Sequence, residues 1–231
     1  HDVTLFEANK LGGLLIEAEA PEFKSDIRPF HKYQETQLKK LNIPVVYKKA
    51  ELEDLKDFDA VICATGSVPV KPNLPGVDKK IAISSLEAID HPEKVGKKVV
   101  VIGGGLVGTE TAIDLAEHGH DVTVVEMLPR IMNDVAATDF IAYSERIAAR
   151  DNMHVVTATK LDEVLDDGVL VSNNKKGKYK IDADTVILAL GFKSCRCLYD
   201  SLKEAGKEVV LVGDAQHPGK IFDAIHTGYR A

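Results

Sequence analysis

Cysteine is scarce in this sequence: Cys63, Cys195 and Cys197 are the only three among 231 residues. So sparse and odd a set excludes a disulfide-stapled secreted domain and fits a reducing cytoplasm. Long apolar runs are also lacking. None approaches the ~20 residues that a membrane span requires, and no signal-peptide pattern opens the chain. No block of basic residues stands out, and the net charge is −7. That argues against a nucleic-acid partner and against an anionic membrane surface. The chain lacks an initial Met and opens directly on a strand-like run, as expected of an incomplete polypeptide.

What is present begins with apolar residues, 45% of the total. That is ample for buried cores, in a length that suits one or two domains. A repeat organises them. Residues 1–7, HDVTLFE, return as HDVTVVE at 120–126, an offset of 119. Residues 57–66, DFDAVICATG, are answered by DADTVILALG at 182–191, an offset of 125. Two matched blocks in one order, at nearly one spacing, mean two copies of one α/β unit. Val3, Leu5 and Phe6 in the first copy, and Val122, Val124 and Val125 in the second, read as buried strands; so do residues 99–102 and 209–212. Near-continuous apolar runs of this kind suit parallel strands covered on both faces. A helix is predicted over 25–42, with Ser25 as N-cap, Pro29 in its first turn, and Ile27, Phe30, Leu38 and Leu41 on one side. Another is predicted over 106–118. Strands alternating with helices predict an α/β fold of two Rossmann-like units, each a doubly wound parallel sheet. The charged stretch 173–180, with Gly177, predicts a surface hairpin turn.

The second copy carries a glycine loop. The strand at 99–102 is followed by Gly103-Gly104-Gly105-Leu106-Val107-Gly108, the pattern G-x-G-x-x-G, and Glu126 ends the next strand, 18 residues past Gly108. A strand before, a helix after and an acid at that distance make the signature strong. Gly103 permits the tight turn, Gly105 lets backbone approach a pyrophosphate, and Gly108 lets the helix pack close to the strand. The pyrophosphate would sit on the helix N-terminus, drawn by free N–H groups and the dipole. Glu126 can accept from both hydroxyls of an adenosine ribose and would repel a 2′-phosphate, which favours NAD(H) over NADP(H). Arg130, four residues on, keeps NADP(H) in play. Glu7 holds the matching place in the first copy, whose own glycine loop is expected some 17 residues before His1, an offset taken from the second copy.

The glycine loop with its following Glu110, the Ala64-Thr65-Gly66 turn with its counterpart ending at Gly191, and Val212-Gly213-Asp214 together resemble the two-dinucleotide-binding flavoproteins. The resemblance spans essentially the whole chain. It implies that Asp214 holds the FAD ribityl chain and that a helix over 220–231 points at the flavin pyrimidine. It also implies a discontinuous FAD-binding domain, 1–70 plus 206–231, with an NAD(P)-binding domain inserted at 71–205. Leu11-Gly12-Gly13-Leu14-Leu15, Pro21-Glu22-Phe23-Lys24, Tyr33-Gln34 and Gln37-Leu38-Lys39-Lys40-Leu41 carry a narrower resemblance. They look like the C-terminal part of NADH:flavin oxidoreductases related to old yellow enzyme, such as 2,4-dienoyl-CoA reductase, enoate reductases and trimethylamine dehydrogenase. In that group an N-terminal barrel carries FMN and an iron–sulfur cluster. No cysteine set here supplies the four thiolates such a cluster needs, so barrel, FMN and 4Fe-4S centre are implied elsewhere in the same polypeptide.

The resemblance implies hydride transfer from nicotinamide to flavin, which asks for stacking and orientation, so no general acid or base is nominated. Glu110 is a candidate for the nicotinamide carboxamide or ribose, or simply a carboxylate favoured near a helix N-terminus. Cys195-x-Cys197 is spaced wrongly for a CxxC redox pair, Cys63 reads as packing inside a strand, and His217 as structural. Electrons would pass to the cluster, then FMN, then a conjugated C=C substrate. Two alternatives stay open: a non-catalytic scaffold holding only ADP, and a stand-alone reductase of a ferredoxin-type carrier. Self-association into a homo-oligomer is also left open.

Overall fold

The valine run at 98–102 becomes the middle strand of a five-stranded, wholly parallel sheet. Across the sheet the order is Ala82–Ser84, Thr185–Leu188, Lys98–Ile102, Asp121–Val125 and Met153–Val156. Val99, Val100 and Val101 are each 1% exposed or less, so both faces of that strand are covered, as its unbroken apolar run predicts. The glycine-loop helix, Leu106–Glu117, follows directly. The structure, a computed structural model, describes residues 1–133 and 135–231. Its residues fall into two compact units, one made of Pro69–Gly191 and the other of His1–Val68 with Phe192–Ala231.

The same unit as the parallel sheet contains an antiparallel one. Gly168–Asn173 lies between Thr159–Leu165 and Gly177–Asp182. The hairpin predicted over 173–180 is present, with Asn173 opposite Gly177 and the Asn173 carboxamide oxygen accepting the Lys175 N–H at 2.9 Å. The third strand, Thr159–Leu165, was not anticipated. Its charged Lys160, Asp162 and Glu163 obscure the inward alternation, and its pairing shifts register between Leu170 and Val171. Val164, Val169 and Val171 are fully buried and share one core with Val100, Ile102 and Val186.

In the other unit the parallel strands come as two pairs, Leu5–Glu7 with Val45–Tyr47 and Ala60–Cys63 with Glu208–Leu211. Their core gathers Leu55, Cys63, Leu202 and Val209, with Phe6 and Phe58 packed edge to face at 6.0 Å. Helix Cys197–Glu204 covers one face through Leu202. The opposite face leaves Ile62 58% and Val210 42% exposed, so the coverage on both faces expected for these strands is not seen here. Val3 lies outside the strand and is exposed. The helix expected over 25–42 runs Ile27–Lys40, with Asp26 at its N-cap and no side-chain capping bond. Ser25 instead follows the 3₁₀ turn Glu22–Lys24. Leu41 is exposed, because the chain leaves the helix there and Asn42 turns left-handed at φ 52°.

The return of the chain to the first unit, expected at 206, comes at Phe192. Strand Phe192–Ser194 pairs with Ser67–Pro69, and the helix after it belongs to the Leu202–Val209 core. No helix among the described residues is long and apolar enough to cross a membrane.

Candidate dinucleotide-binding sites

The glycine loop closes on its own strands. Gly103 donates its N–H to the Val125 carbonyl at 2.9 Å. At φ 106° it adopts a conformation that side chains resist, and a Cβ there would sit 2.3 Å from the Ala189 carbonyl oxygen. A Cβ on Gly108 would lie 2.0 Å from the Gly103 carbonyl oxygen, so glycine is what lets the helix approach the strand. Gly105 differs: nothing lies within 4 Å of its hypothetical Cβ. Gly103 and Gly108 are required by the fold, whereas Gly105 opens onto space that a ligand could use.

Glu126, 7% exposed, sits at the end of the neighbouring strand. Its Oε2 accepts the Gly104 N–H at 2.6 Å and its Oε1 accepts the Leu128 N–H at 2.7 Å. Each carboxylate oxygen keeps further acceptor capacity, so the group is held in place and can still take hydroxyl donors. Open space at Gly105, a helix N-terminus behind it and a fixed carboxylate fit an adenosine diphosphate moiety. Arg130 stacks over the Phe140 ring at 5.1 Å. Glu110 is buried, and the Tyr143 hydroxyl donates to its Oε1 at 2.5 Å. Burial first, and then that hydrogen bond, push the Tyr143 phenol above its ordinary pKa range. Tyr143 stands 33 positions away, and nothing in the sequence marked it.

The other unit repeats part of this geometry. Glu7 Oε1 accepts the Asn9 N–H at 2.7 Å, the same two-residue contact at the same distance as Glu126 with Leu128. Gly12 and Gly13 are both left-handed, at φ 111° and 49°, and a Cβ on Gly12 would strike the His31 ring at 2.3 Å. Asn9, Lys10, Leu11, Glu19, His31 and Tyr47 line a cavity of about 360 Å³.

Around the Ala64-Thr65-Gly66 turn, the Thr65 hydroxyl donates to the Cys195 carbonyl at 2.5 Å, and the Cys195 N–H donates to the Gly66 carbonyl at 2.9 Å. Gly191 is left-handed at φ 87° and its carbonyl accepts the Val70 N–H at 2.9 Å. Gly213, at φ 58°, donates its N–H to the Thr227 hydroxyl at 2.9 Å. Asp214 Oδ2 accepts the Ser67 hydroxyl at 2.8 Å, its Oδ1 accepts the Gly219 N–H at 3.1 Å, and its carbonyl accepts the Ser194 hydroxyl at 2.7 Å. Ser67, Ser194 and Thr227 escaped the sequence reading, although Ser67 directly follows the Ala64-Thr65-Gly66 signal. The helix predicted over 220–231 runs Ile221–Arg230. All three cysteines are unpaired, and burial pushes the Cys63 thiol upward in pKa.

A family model described as pyridine nucleotide-disulphide oxidoreductase matches residues 7–218. The chain belongs to the pyridine nucleotide-disulphide oxidoreductase family. Members closer to this chain fit the narrower group related to old yellow enzyme. A cinnamate reductase of Clostridium sporogenes is 33% identical across 99% of this chain, which spans 35% of that protein. An NADH oxidase of Thermoanaerobacter brockii is 36% identical across 100% of this chain, which spans 37% of it. A 2-naphthoyl-CoA reductase structure superposes with a TM-score of 0.93 at 31% identity, over 100% of this chain and 36% of that one. The chain thus spans little more than a third of the length of these relatives. As a member of that family it has the α/β architecture of a dinucleotide-binding module.

Proposed function

We propose that this chain is the electron-entry module of a larger NADH-dependent flavoenzyme that reduces a conjugated C=C bond, as in an enoate, an aryl enoate or an unsaturated acyl-CoA. The observation that carries the reading is the Gly103 to Glu126 arrangement: an open glycine at the helix N-terminus, with a carboxylate pinned beside it. NADH and FAD, when bound, supply the hydride chemistry. Glu126 would hold the adenosine ribose of NADH, Gly105 would allow its pyrophosphate close approach, and Glu110 would lie one helical turn beyond. In the other unit Glu7 would take the FAD adenosine ribose and Asp214 the ribityl chain, with Gly12, Gly13, the Ala64-Thr65-Gly66 turn, Gly191 and Gly213 shaping the walls.

Ser67 and the Gly219 N–H hold Asp214 from two sides, which suits a carboxylate that must meet a ligand hydroxyl in a fixed orientation. An FMN and iron–sulfur barrel in the same polypeptide would receive the electrons, in a cytoplasmic protein. The similarity to a cinnamate reductase and to a 2-naphthoyl-CoA reductase supports the substrate class. The test is anaerobic rapid mixing of the full-length protein with NADH. Flavin bleaching, followed by reoxidation with cinnamate or a dienoyl thioester, is expected. Nucleotide binding without any flavin reduction would instead mark a scaffold that holds ADP.

A further inference from the structure

His31 occupies an unusual position in helix Ile27–Lys40. Its Nδ1 lies 3.2 Å from Glu19 Oε1 and its Nε2 lies 3.0 Å from the Leu11 carbonyl oxygen. Both neighbours are acceptors. A neutral imidazole carries one N–H and one lone pair, so in either tautomer one ring nitrogen would point a lone pair at an oxygen. Only the imidazolium satisfies both contacts at once. The ring also fills the space above Gly12, so its position and that of the 11–13 turn are mutually dependent.

The groups around the ring reinforce the point. Glu35, one turn along the same helix, places a carboxylate oxygen 3.8 Å from Nε2. Glu19 follows the short helix Leu15–Ala18, and its Oε2 is buried without a hydrogen-bond partner among the described residues. A carboxylate with so little exposed side chain, 17%, depends on a cationic neighbour. Arg28 does not replace that neighbour: its Nε and Nη2 donate to the Glu19 and Ala20 backbone carbonyls at 3.3 Å each, and Nη2 pairs with Glu22 at 3.1 Å. From the loop and the strand Val45–Tyr47, Lys10 and Tyr47 line the adjoining cavity.

We propose that His31 is a proton-operated latch on the 11–13 turn: the imidazolium ties the turn to Glu19 and to its own helix, and loss of the proton releases it. Burial pulls the His31 pKa down, but the Glu19 hydrogen bond, the Leu11 carbonyl and the charges of Glu19 and Glu35 together leave it above the ordinary imidazole value. A pKa raised by folding means the latch is fully engaged below the unfolded value, ~6.5, and disengages as pH rises through the folded value. The turn lies just beyond Glu7 and Asn9. Control of dinucleotide access there is a consequence that rests on the reading of Glu7 given above; the latch itself does not.

The experiment uses the full chain without nucleotide, so that failure of the latch and failure of the Glu7 reading are separable. Histidine ring resonances are titrated by NMR, and amide exchange is followed at Leu15 and Ile16, which donate to the Gly12 and Gly13 carbonyls at 3.1 Å. His31 should titrate above the ordinary value. After correction for intrinsic rates, exchange at those two amides should accelerate on deprotonation by about tenfold for each unit by which folding raises the pKa. Glu19→Gln should lower the His31 pKa and shrink that acceleration; His31→Gln should abolish it. If His31→Gln does not fold, the wild-type titration and Glu19→Gln decide alone. A His31 that titrates at or below the ordinary value, or amides indifferent to its titration, would overturn the proposal.

Discussion

The Glu126 carboxylate accepts the Gly104 N–H at 2.6 Å, tying the acid at the end of one strand to the glycine loop that follows its neighbour. The group that would read the ribose is therefore part of the loop that would cradle the pyrophosphate. Removing it should act on both.

The chain should bind NADH more tightly than NADPH, since a fixed carboxylate repels a 2′-phosphate. Glu126→Ala should weaken NADH by about tenfold, on the scale of one or two hydrogen bonds lost to the ligand, and narrow the preference. It should also lower thermal stability, because the Gly104 N–H loses its acceptor. Calorimetry with both nucleotides checks the first two effects. Tighter binding of NADPH by the wild-type chain would sink this assignment.

Two glycine substitutions separate folding from binding. Gly108→Ala puts a methyl 2.0 Å from backbone oxygen and should cost about 1–3 kcal/mol of stability, as overpacking does. Gly105→Ala meets nothing in the protein, and its φ of −68° suits any residue, so Tm should hold while nucleotide affinity falls. If Gly105→Ala binds NADH as the wild type does, the open space is not the ligand's.

Tyr143→Phe deletes the donor to the buried Glu110 carboxylate and should destabilise by about 1–2 kcal/mol. A phenol whose pKa is raised on folding contributes stability that is complete below its unfolded value, ~10, and is lost as pH rises through the folded value. The difference between wild type and variant should therefore stay constant from neutral pH to about 9 and shrink only in stronger alkali. Denaturant melts across that range test it, and a difference that fades near neutrality would contradict the assignment.

Cys195 and Cys197 should be dispensable. Cys195 is tied by backbone, its N–H to Gly66 and its carbonyl to Thr65, and neither contact uses sulfur. The double variant Cys195→Ser, Cys197→Ser of the full-length protein should keep NADH-dependent flavin reduction within about twofold, as surface changes away from a site usually do. A large fall would assign them a redox part.

Made alone, the 231-residue chain should carry little FAD. The sequence holds one G-x-G-x-x-G, at 103–108, and the unit with Glu7 and Asp214 has none. Hydroxyl contacts at those two acids, worth ~1 kcal/mol each, do not replace a pyrophosphate cradle. The outward Ile62 and Val210 should also promote association at high concentration. A visible spectrum decides: flavin near stoichiometric with protein would mean that the cradle is dispensable.

The sequence by itself determined what is local and chemically exacting. A tight turn from strand to helix needs glycines at set offsets, so the turn at Gly103 to Gly108 was legible. Buried parallel strands advertise themselves as valine runs, and the sheet around Lys98–Ile102 followed. Tertiary structure decided the rest. It brought the chain back to the first unit at Phe192, because that strand pairs with Ser67–Pro69 and leads into the Leu202 core. It left one face of the Ala60–Cys63 pair open despite an apolar sequence. It set Ser67 on Asp214 across 147 positions, Tyr143 on Glu110 across 33, and His31 on Leu11 across 20. A lone serine, tyrosine or histidine carries no periodicity that names its partner; only the packing of distant segments brings donor and acceptor within reach.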